Sequence, residues 1–250
     1  MATAGRGQKI TIIGNIGAGK TSLVTALAAN GYVEVPEPVT DNPFFAAFCA
    51  DPKANAEIMQ AWMVMDRYAG YVSTITKDRK VVYDLCFPYD CAFVYCNHAQ
   101  GNISDDFCAE YFRLVDYAMR CMPVPDTTVM LEVGPQTCLE RIRRRNRTGE
   151  EGLTVEYLSA VADGYTRAHT LTREWGIRPM HLNWERARTP VQIDQLADFI
   201  EDIWWDTPAA SPALPVDVDA RADAMRGFFK NVAERKGVLV TPSMFRRRDN

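Results

Sequence analysis

The stretch that decides the fold is Gly14-Asn15-Ile16-Gly17-Ala18-Gly19-Lys20-Thr21, followed directly by Ser22. The apolar, β-branched run 10–13 precedes it and predicts a buried strand. A helical pattern over 22–29 follows it. A strand, a glycine-rich turn and a helix start are the context in which the spacing G-x-x-x-x-G-K-[ST] forms a cradle for phosphate groups. The sequence therefore predicts that residues 14–22 bind the phosphates of a nucleotide.

The chemistry of such a cradle follows from its residue types. Glycines let the backbone turn so that several N–H groups converge on one anion. The helix N-terminus adds partial positive charge at the same place. Lys20 supplies a full charge for the β- and γ-phosphates, and the hydroxyl of Thr21 is placed for Mg²⁺.

Composition excludes several classes of protein. The chain has 250 residues, of which 47% are hydrophobic and 24% charged, as is ordinary for a globular protein. A net charge of −4 argues against a general nucleic-acid binder, which is usually basic. No apolar run approaches the length of a membrane span, and the N-terminus shows no signal-peptide pattern. The seven cysteines lack paired C-x-x-C spacing, which favours reduced thiols in a cytoplasmic protein.

Hydrophobic periodicity predicts five strands, at residues 9–13, 32–35, 80–84, 127–133 and 180–183. Helical patterns separate these strands, which predicts an α/β fold whose parallel sheet carries helices on both faces. From residue 207 the composition changes. A proline-rich run at 208–215 is typical of a linker, and 217–236 has the pattern of one amphipathic helix. We therefore expect a main domain over residues 1–206 and a C-terminal helical extension over 207–250.

Two carboxylates follow predicted strands. Glu37 comes directly after the second strand, between two prolines, and Asp84 ends the third. Functional groups of open α/β sheets collect where the strands end, so both are expected near the cradle. Glu37 can take a proton from an attacking hydroxyl, and Asp84 can hold Mg²⁺ or one of its waters. From the residues alone, a solvated charge at position 37 and a turn residue at position 84 stay open as alternatives.

The densest charge cluster contains Arg143, Arg144, Arg145 and Arg147. It runs into Thr148-Gly149-Glu150-Glu151-Gly152, where glycines can act as hinges. Arginines spread over a transferring phosphoryl group stabilise its developing charge. We therefore interpret this segment as a lid over the phosphates rather than as a solvated helix face.

Gln60 and Arg67 are seven residues apart on one predicted helix, so they lie roughly on one face. Glutamine offers a donor and an acceptor together, and arginine offers a fork of donors. The edge of a nucleobase needs such a mixture. The spacing alone favours two surface residues, so the base-binding interpretation depends on further observations.

These residues, in this order, resemble the deoxynucleoside kinase family, which contains the deoxyguanosine, deoxyadenosine and deoxycytidine kinases. The resemblance covers about residues 9–203. Besides the residues above it is carried by Glu37-Pro38-Val39, by Asp90, and by Asp41-Asn42-Pro43-Phe44-Phe45, which looks like the bacterial purine-type members. It implies a P-loop kinase fold, that is, a kinase built on the glycine-rich phosphate cradle.

The resemblance also implies an activity. It implies ATP-dependent phosphorylation of the 5′-hydroxyl of a deoxynucleoside, with a leaning towards purines, by an enzyme that uses Mg²⁺ and is usually a homodimer. In this chain Arg145 and Arg147 would contact phosphates, and Glu150 would hold the sugar 3′-hydroxyl. At the acceptor end the resemblance implies that Glu37 is the base for the 5′-hydroxyl. The residues that it implies for nucleobase recognition are Gln60, Arg67 and Asp90.

The chain departs from the family at two positions. The family has Asp or Glu, then Arg and Ser, after the third strand, whereas this chain has Asp84-Leu85-Cys86. Leucine cannot supply the charge or the donors of that arginine. The family also tends to place a tyrosine, which reaches the sugar 3′-hydroxyl, at the position of Cys49. Two other functions therefore stay open: a nucleoside monophosphate kinase of the thymidylate kinase type, and a non-catalytic subunit with a kinase fold.

Overall fold

The computed structural model describes residues 7–37, 39–75, 77–120, 122–203 and 217–245. Pro38, the predicted linker at 208–215 and the arginines at 246–248 lie outside these residues. The strands are β1 (Lys9–Gly14), β2 (Val33–Val35), β3 (Val81–Asp84), β4 (Thr127–Glu132) and β5 (Pro179–Asn183). The α-helices are α1 (Lys20–Ala29), α2 (Phe45–Ala50), α3 (Pro52–Ile75), α4 (Cys91–Ala99), α5 (Asp105–Met119), α6 (Pro135–Arg145), α7 (Val155–Glu174), α8 (Pro190–Ile203) and α9 (Val218–Arg235).

The five strands form one parallel sheet in the order β2-β3-β1-β4-β5. The predicted α/β fold with a five-stranded parallel sheet is therefore confirmed. β1 is central and every one of its residues is buried, as expected for a parallel strand covered on both faces. The register places Ile12 opposite Asp84. The carboxyl ends of β1 and β3 thus lie side by side, which brings the glycine-rich turn next to Asp84.

Side chains alternate between the two faces of the sheet. Ile12 and Val82 pack with α1 and α8 on one face. Ile13, Val81 and Tyr83 pack on the other face, in the larger apolar core that includes α3, α4, α5 and α7. α3, on this second face, carries the predicted acceptor residues Gln60 and Arg67, so the larger core supports that side of the site.

The helix boundaries follow local sequence signals. α3 begins at Pro52, two residues earlier than the pattern predicts, because proline suits the first turn of a helix. The predicted cap of α5 is confirmed: the hydroxyl of Ser104 accepts a hydrogen bond from the backbone N–H of Phe107 at 3.3 Å. Within the described ranges, no helix has the length and apolar character needed to cross a membrane.

The C-terminal segment 217–245 packs against α3 and α5. The ring of Phe228 lies 5.3 Å from that of Phe107, and Phe229 lies 6.1 Å from Phe44. The indole N–H of Trp62, on α3, donates to the carbonyl oxygen of Met244 at 3.2 Å. α9 is therefore part of the larger apolar core. The proposed domain boundary at residue 207 stays a prediction.

Candidate active site

A cavity of about 480 Å³ lies at the carboxyl edge of the sheet. The glycine-rich turn lines one end of it, and side chains from β2, α3 and the start of α4 line the other. The segment between α6 and α7 covers it from above. The predicted residues that line this cavity are Ile16, Gly17, Gly19, Lys20, Thr21, Ser22, Glu37, Gln60, Arg67, Asp84, Asp90, Arg145, Arg147 and Glu150.

The turn needs glycine at two of its positions. Gly17 has φ 78° and Gly19 has φ 98°, a region that residues with a Cβ rarely adopt. A Cβ on Gly17 would also lie 2.6 Å from the carbonyl oxygen of Cys138. Lys20 crosses the turn, where its ammonium donates to the carbonyl oxygens of Gly14 at 3.1 Å and Asn15 at 3.3 Å. The loop is therefore held in one shape, with its charge beside the cavity.

Gly14, Asn15 and Ala18 lie behind the lining and support it. The buried amide of Asn15 donates to the carbonyl oxygen of Leu158 at 2.8 Å and accepts from the next backbone N–H. Arg141 donates to the carbonyl oxygen of Ala18 at 2.9 Å and also lines the cavity. Sequence reasoning did not single out Arg141. The available signal was its place four residues before Arg145, which puts both on one face of α6.

Thr21 and Asp84 meet beside the glycine-rich turn. The Thr21 hydroxyl donates to Asp84 Oδ2 at 3.1 Å, and the buried Oδ1 of Asp84 has no hydrogen-bond partner. Burial raises the pKa of Asp84, an effect that Lys20 opposes and Glu37 reinforces. A buried carboxylate oxygen with no partner beside a hydroxyl fits Mg²⁺, which on nucleotides takes one or two protein ligands and phosphate oxygens.

At the acceptor end, one guanidinium joins two carboxylates. Arg67 Nη1 pairs with Asp90 Oδ1, and Nη2 pairs with Glu37 Oε1 at 2.5 Å. The side chain of Arg67 is 4% exposed. Tyr111 completes the arrangement, because its hydroxyl donates to Asp90 Oδ2 at 2.8 Å. A continuous hydrogen-bonded chain therefore runs from Tyr111 to Glu37.

Burial and the neighbouring charges shift the pKa values of Arg67 and Asp90 in opposite directions. Burial alone would lower the pKa of Arg67, but Asp90 and Glu37 outweigh it and the pKa is raised. Burial raises the pKa of Asp90, although Arg67 and the Tyr111 hydroxyl pull it down. The guanidinium is thus firmly charged, and it offsets the cost of burying the carboxylate that it contacts.

Gln60 faces the same end of the cavity. It is 3% exposed, and its Oε1 is buried without a hydrogen-bond partner. Buried polar atoms are nearly always paired, so a free acceptor next to a cavity is a place for a donor on a ligand. The ring of Phe93 adds a flat apolar surface, 5.7 Å from the guanidinium carbon of Arg67. Donors, an acceptor and an aromatic wall together suit a planar heterocycle.

Leu85 and Cys49, the two positions that depart from the family pattern, lie in different parts of the structure. Leu85 has φ 65° and is 4% exposed, and its side chain packs in the core, away from the lining. A left-handed conformation costs such a residue about 1–2 kcal/mol. Its N–H still donates to the carbonyl oxygen of Ile12 at 3.1 Å, so the end of β3 stays paired. Cys49 is exposed and lines the cavity near the lid.

The predicted lid segment is folded over the cavity. Arg145 Nη2 contacts both carboxylate oxygens of Glu150, at 2.7 and 2.8 Å, and Arg147 lies 3.6 Å from the same carboxylate. Glu150 is 8% exposed although it sits in a loop. Arg143 and Arg144 are exposed on the outer side of α6, so the structure separates the four arginines into two pairs.

Comparison with known proteins identifies the family. The family model for deoxynucleoside kinases matches residues 10–202, more than three quarters of the chain. The chain belongs to the deoxynucleoside kinase family. It is therefore a phosphotransferase by descent, and the resemblance stated from its motifs is confirmed.

Individual relatives agree with this placement. The chain is 31% identical to a deoxyguanosine kinase of Dictyostelium discoideum over 71% of this chain and 64% of that one. It is 30% identical to the deoxyadenosine kinase of the same organism, over 76% and 78%, and 31% identical to a deoxyguanosine kinase of Lactobacillus acidophilus, over 86% and 96%. The solved deoxyadenosine kinase from M. mycoides with bound dATP shares the fold, with a TM-score of 0.68 at 22% identity over 78% of this chain and 99% of that one.

Proposed function

We propose that this kinase transfers the γ-phosphate of ATP to the 5′-hydroxyl of a purine deoxynucleoside. The observation that carries the proposal is the shared cavity, which has the phosphate cradle at one end and Glu37, Gln60, Arg67 and Asp90 at the other. The family and the names of the relatives support this reaction. Deoxyguanosine and deoxyadenosine kinases among those relatives support the leaning towards purines.

At the phosphate end, the turn and its lysine hold the triphosphate. Backbone N–H groups at the start of α1 and the ammonium of Lys20 stabilise the β- and γ-phosphates. Arg145 and Arg147 lie across the cavity, where they can exchange Glu150 for phosphate oxygens as the lid settles on substrate. A closed lid excludes water, which would otherwise compete with the sugar hydroxyl for the phosphoryl group.

At the acceptor end, Glu37 takes the proton from the 5′-hydroxyl as that oxygen attacks. A carboxylate that can reach the hydroxyl contributes in this way without any covalent intermediate. Gln60, Arg67 and Asp90 hold the edge of the base with a mixture of donors and acceptors. Glu150 binds the sugar 3′-hydroxyl in this proposal, which would link acceptor binding to the position of the lid.

Three further properties belong to the proposal. Mg²⁺, held by Thr21 and Asp84 together with the nucleotide, would neutralise charge on the transferring phosphate. The family resemblance supports a homodimer, which sedimentation of the purified chain would test directly. It also supports a cytoplasmic location, which fits the cysteines that the structure describes, all of them free.

The decisive experiment is an ATP-coupled assay across the deoxynucleosides and their monophosphates. We expect turnover with deoxyguanosine or deoxyadenosine and little with any monophosphate. Activity on monophosphates only would instead support a kinase of the thymidylate type. ATP binding without turnover on the whole panel would support a non-catalytic role and contradict the proposal.

A further inference from the structure

We propose that Arg67, besides its part in holding the base, positions Glu37 for the phosphoryl transfer. It thereby links the residues that bind the base to the carboxylate that takes part in the reaction. This inference rests on the proposed function, because it assigns Arg67 a second task within the same reaction. The geometry is direct: one nitrogen of the guanidinium faces Asp90, and the other lies 2.5 Å from Glu37 Oε1. A planar fork of donors is suited to holding two carboxylates at fixed positions.

Arg67 is the cation that contacts Glu37 within the described ranges of the chain. Lys20 instead directs its ammonium to two carbonyl oxygens of the glycine-rich turn. Position 85, where the family resemblance leads one to expect an arginine, holds a leucine whose side chain is in the core. Arg67 of α3 therefore supplies the positive charge beside Glu37 in a chain that has no arginine at position 85.

The contact has a mechanistic consequence because Glu37 is only partly buried. Its side chain is 21% exposed, so without a partner it could swing towards solvent. The fork fixes one oxygen, Oε1, and leaves the other, Oε2, available to the sugar hydroxyl. Misplacement of a reacting group by a small distance costs a large part of the rate, so this restraint acts on kcat as well as on binding.

The charged groups around Glu37 show why its position depends on Arg67. The ionisable groups that face it from the neighbouring elements are Arg67 of α3, Asp84 of β3, Asp90 before α4 and Tyr165 of α7. Lys20 lies beyond Asp84, and the lid residues Arg145, Arg147 and Glu150 face it across the cavity. Two of the close groups are carboxylates, and the close cation among the described residues is Arg67. Loss of this cation removes the contact that holds Glu37 and leaves its carboxylate beside two others that repel it.

The test compares kcat and KM in two variants. Arg67→Gln loses both contacts, whereas the matched control Asp90→Asn weakens the base site but keeps the ion pair between Arg67 and Glu37. We expect both variants to raise KM. Only Arg67→Gln is expected to lower kcat as well, by about 10- to 100-fold, since a reacting carboxylate that is no longer held in place costs rate and not only binding. Arg67→Lys, which keeps the charge but not the planar fork, should restore part of the lost kcat.

Removal of Arg67 alone leaves Asp90 buried without its cation, and that variant could fail to fold. The double variant Arg67→Gln with Asp90→Asn then takes its place, again compared with Asp90→Asn. An equal kcat in both would overturn this inference alone, since an active wild-type chain would still bear out the proposed function. A wild-type chain that phosphorylates no deoxynucleoside would overturn the proposed function and this inference with it.

Discussion

The phosphate end and the acceptor end of the cavity are built in opposite ways. The phosphate end comes from nine consecutive residues, 14–22, whose shape follows from glycines and from the start of a helix. The acceptor end comes from residues 37, 60, 67 and 90, which lie on three separate parts of the chain and meet only in the folded protein. One end is therefore determined locally, and the other depends on how α3 and the segment before α4 pack on the sheet.

This difference shows in the electrostatics of the two ends. The glycine-rich turn at the phosphate end presents N–H groups and the ammonium of Lys20, which contacts neutral carbonyl oxygens. At the acceptor end the charges already pair with one another, through Arg67 and its two carboxylates. A change at the phosphate end should thus abolish chemistry without disturbing the acceptor site, while a change at the base-binding residues Gln60 or Asp90 should alter selectivity and binding first.

The largest effect is expected at Lys20. Lys20→Ala removes the charge that faces the β- and γ-phosphates, and we expect kcat to fall by about 1,000-fold. Deoxynucleoside binding, measured by calorimetry, should stay unchanged because the acceptor residues do not contact this side chain. Lys53→Ala, at an exposed lysine of α3, is the matched control and should retain the wild-type rate. A loss of deoxynucleoside binding in Lys20→Ala would show that the ends are not independent.

A smaller effect is expected in the lid. Arg145→Ala removes a guanidinium that lines the cavity, and we expect kcat to fall by about 100-fold. Arg144→Ala changes its exposed neighbour and should leave the rate unaltered. Steady-state kinetics with varied ATP would measure both. Equal losses in the two variants would favour a general effect of charge over the specific contact proposed for position 145.

The smallest effect is expected at Gln60, where stability and binding should change in opposite directions. Gln60→Leu removes a buried oxygen that lacks a partner, so the free energy of unfolding should stay level or rise by about 1 kcal/mol. The KM for the deoxynucleoside should rise by about tenfold, since one hydrogen bond to the base is lost. Denaturant titration and initial rates test the pair of results. Gln195→Leu on exposed α8 is the control, and a drop in stability at Gln60 would mean that its oxygen is paired after all.

The sequence predicted the phosphate end of the cavity better than the acceptor end, because short-range signals specify only the first. The five strands, the turn and the cap at Ser104 follow from short-range signals, namely periodicity, glycine and proline positions, and capping. From spacing alone, Gln60 and Arg67 looked like surface residues. Both are buried, because α3 packs into the larger core against α2 and α9 and turns these two residues to the cavity inside the protein. Only the resemblance to a family pointed to their place in the cavity.

Some contacts could not be foreseen from sequence at all. The pairing of Arg67 with Glu37 joins residues 30 positions apart, and no local pattern encodes it. Arg141 likewise bonds to a carbonyl oxygen 123 residues earlier, although its place on α6 gave a hint. The core contact of Phe229 with Phe44 joins a segment beyond the family match to the body of the kinase. Such contacts depend on how the helices and strands finally pack, whereas the sequence predicted only their order along the chain.

The most direct test of this account is the fate of the γ-phosphate of labelled ATP with deoxyguanosine and deoxyadenosine as acceptors. The account predicts that the wild-type chain places the label on the 5′-oxygen of at least one of them. It also predicts that Glu37→Gln slows this transfer by about 100-fold or more with unchanged affinity for ATP. Equal rates of transfer in the two proteins, or label found only on nucleoside diphosphates, would contradict the account.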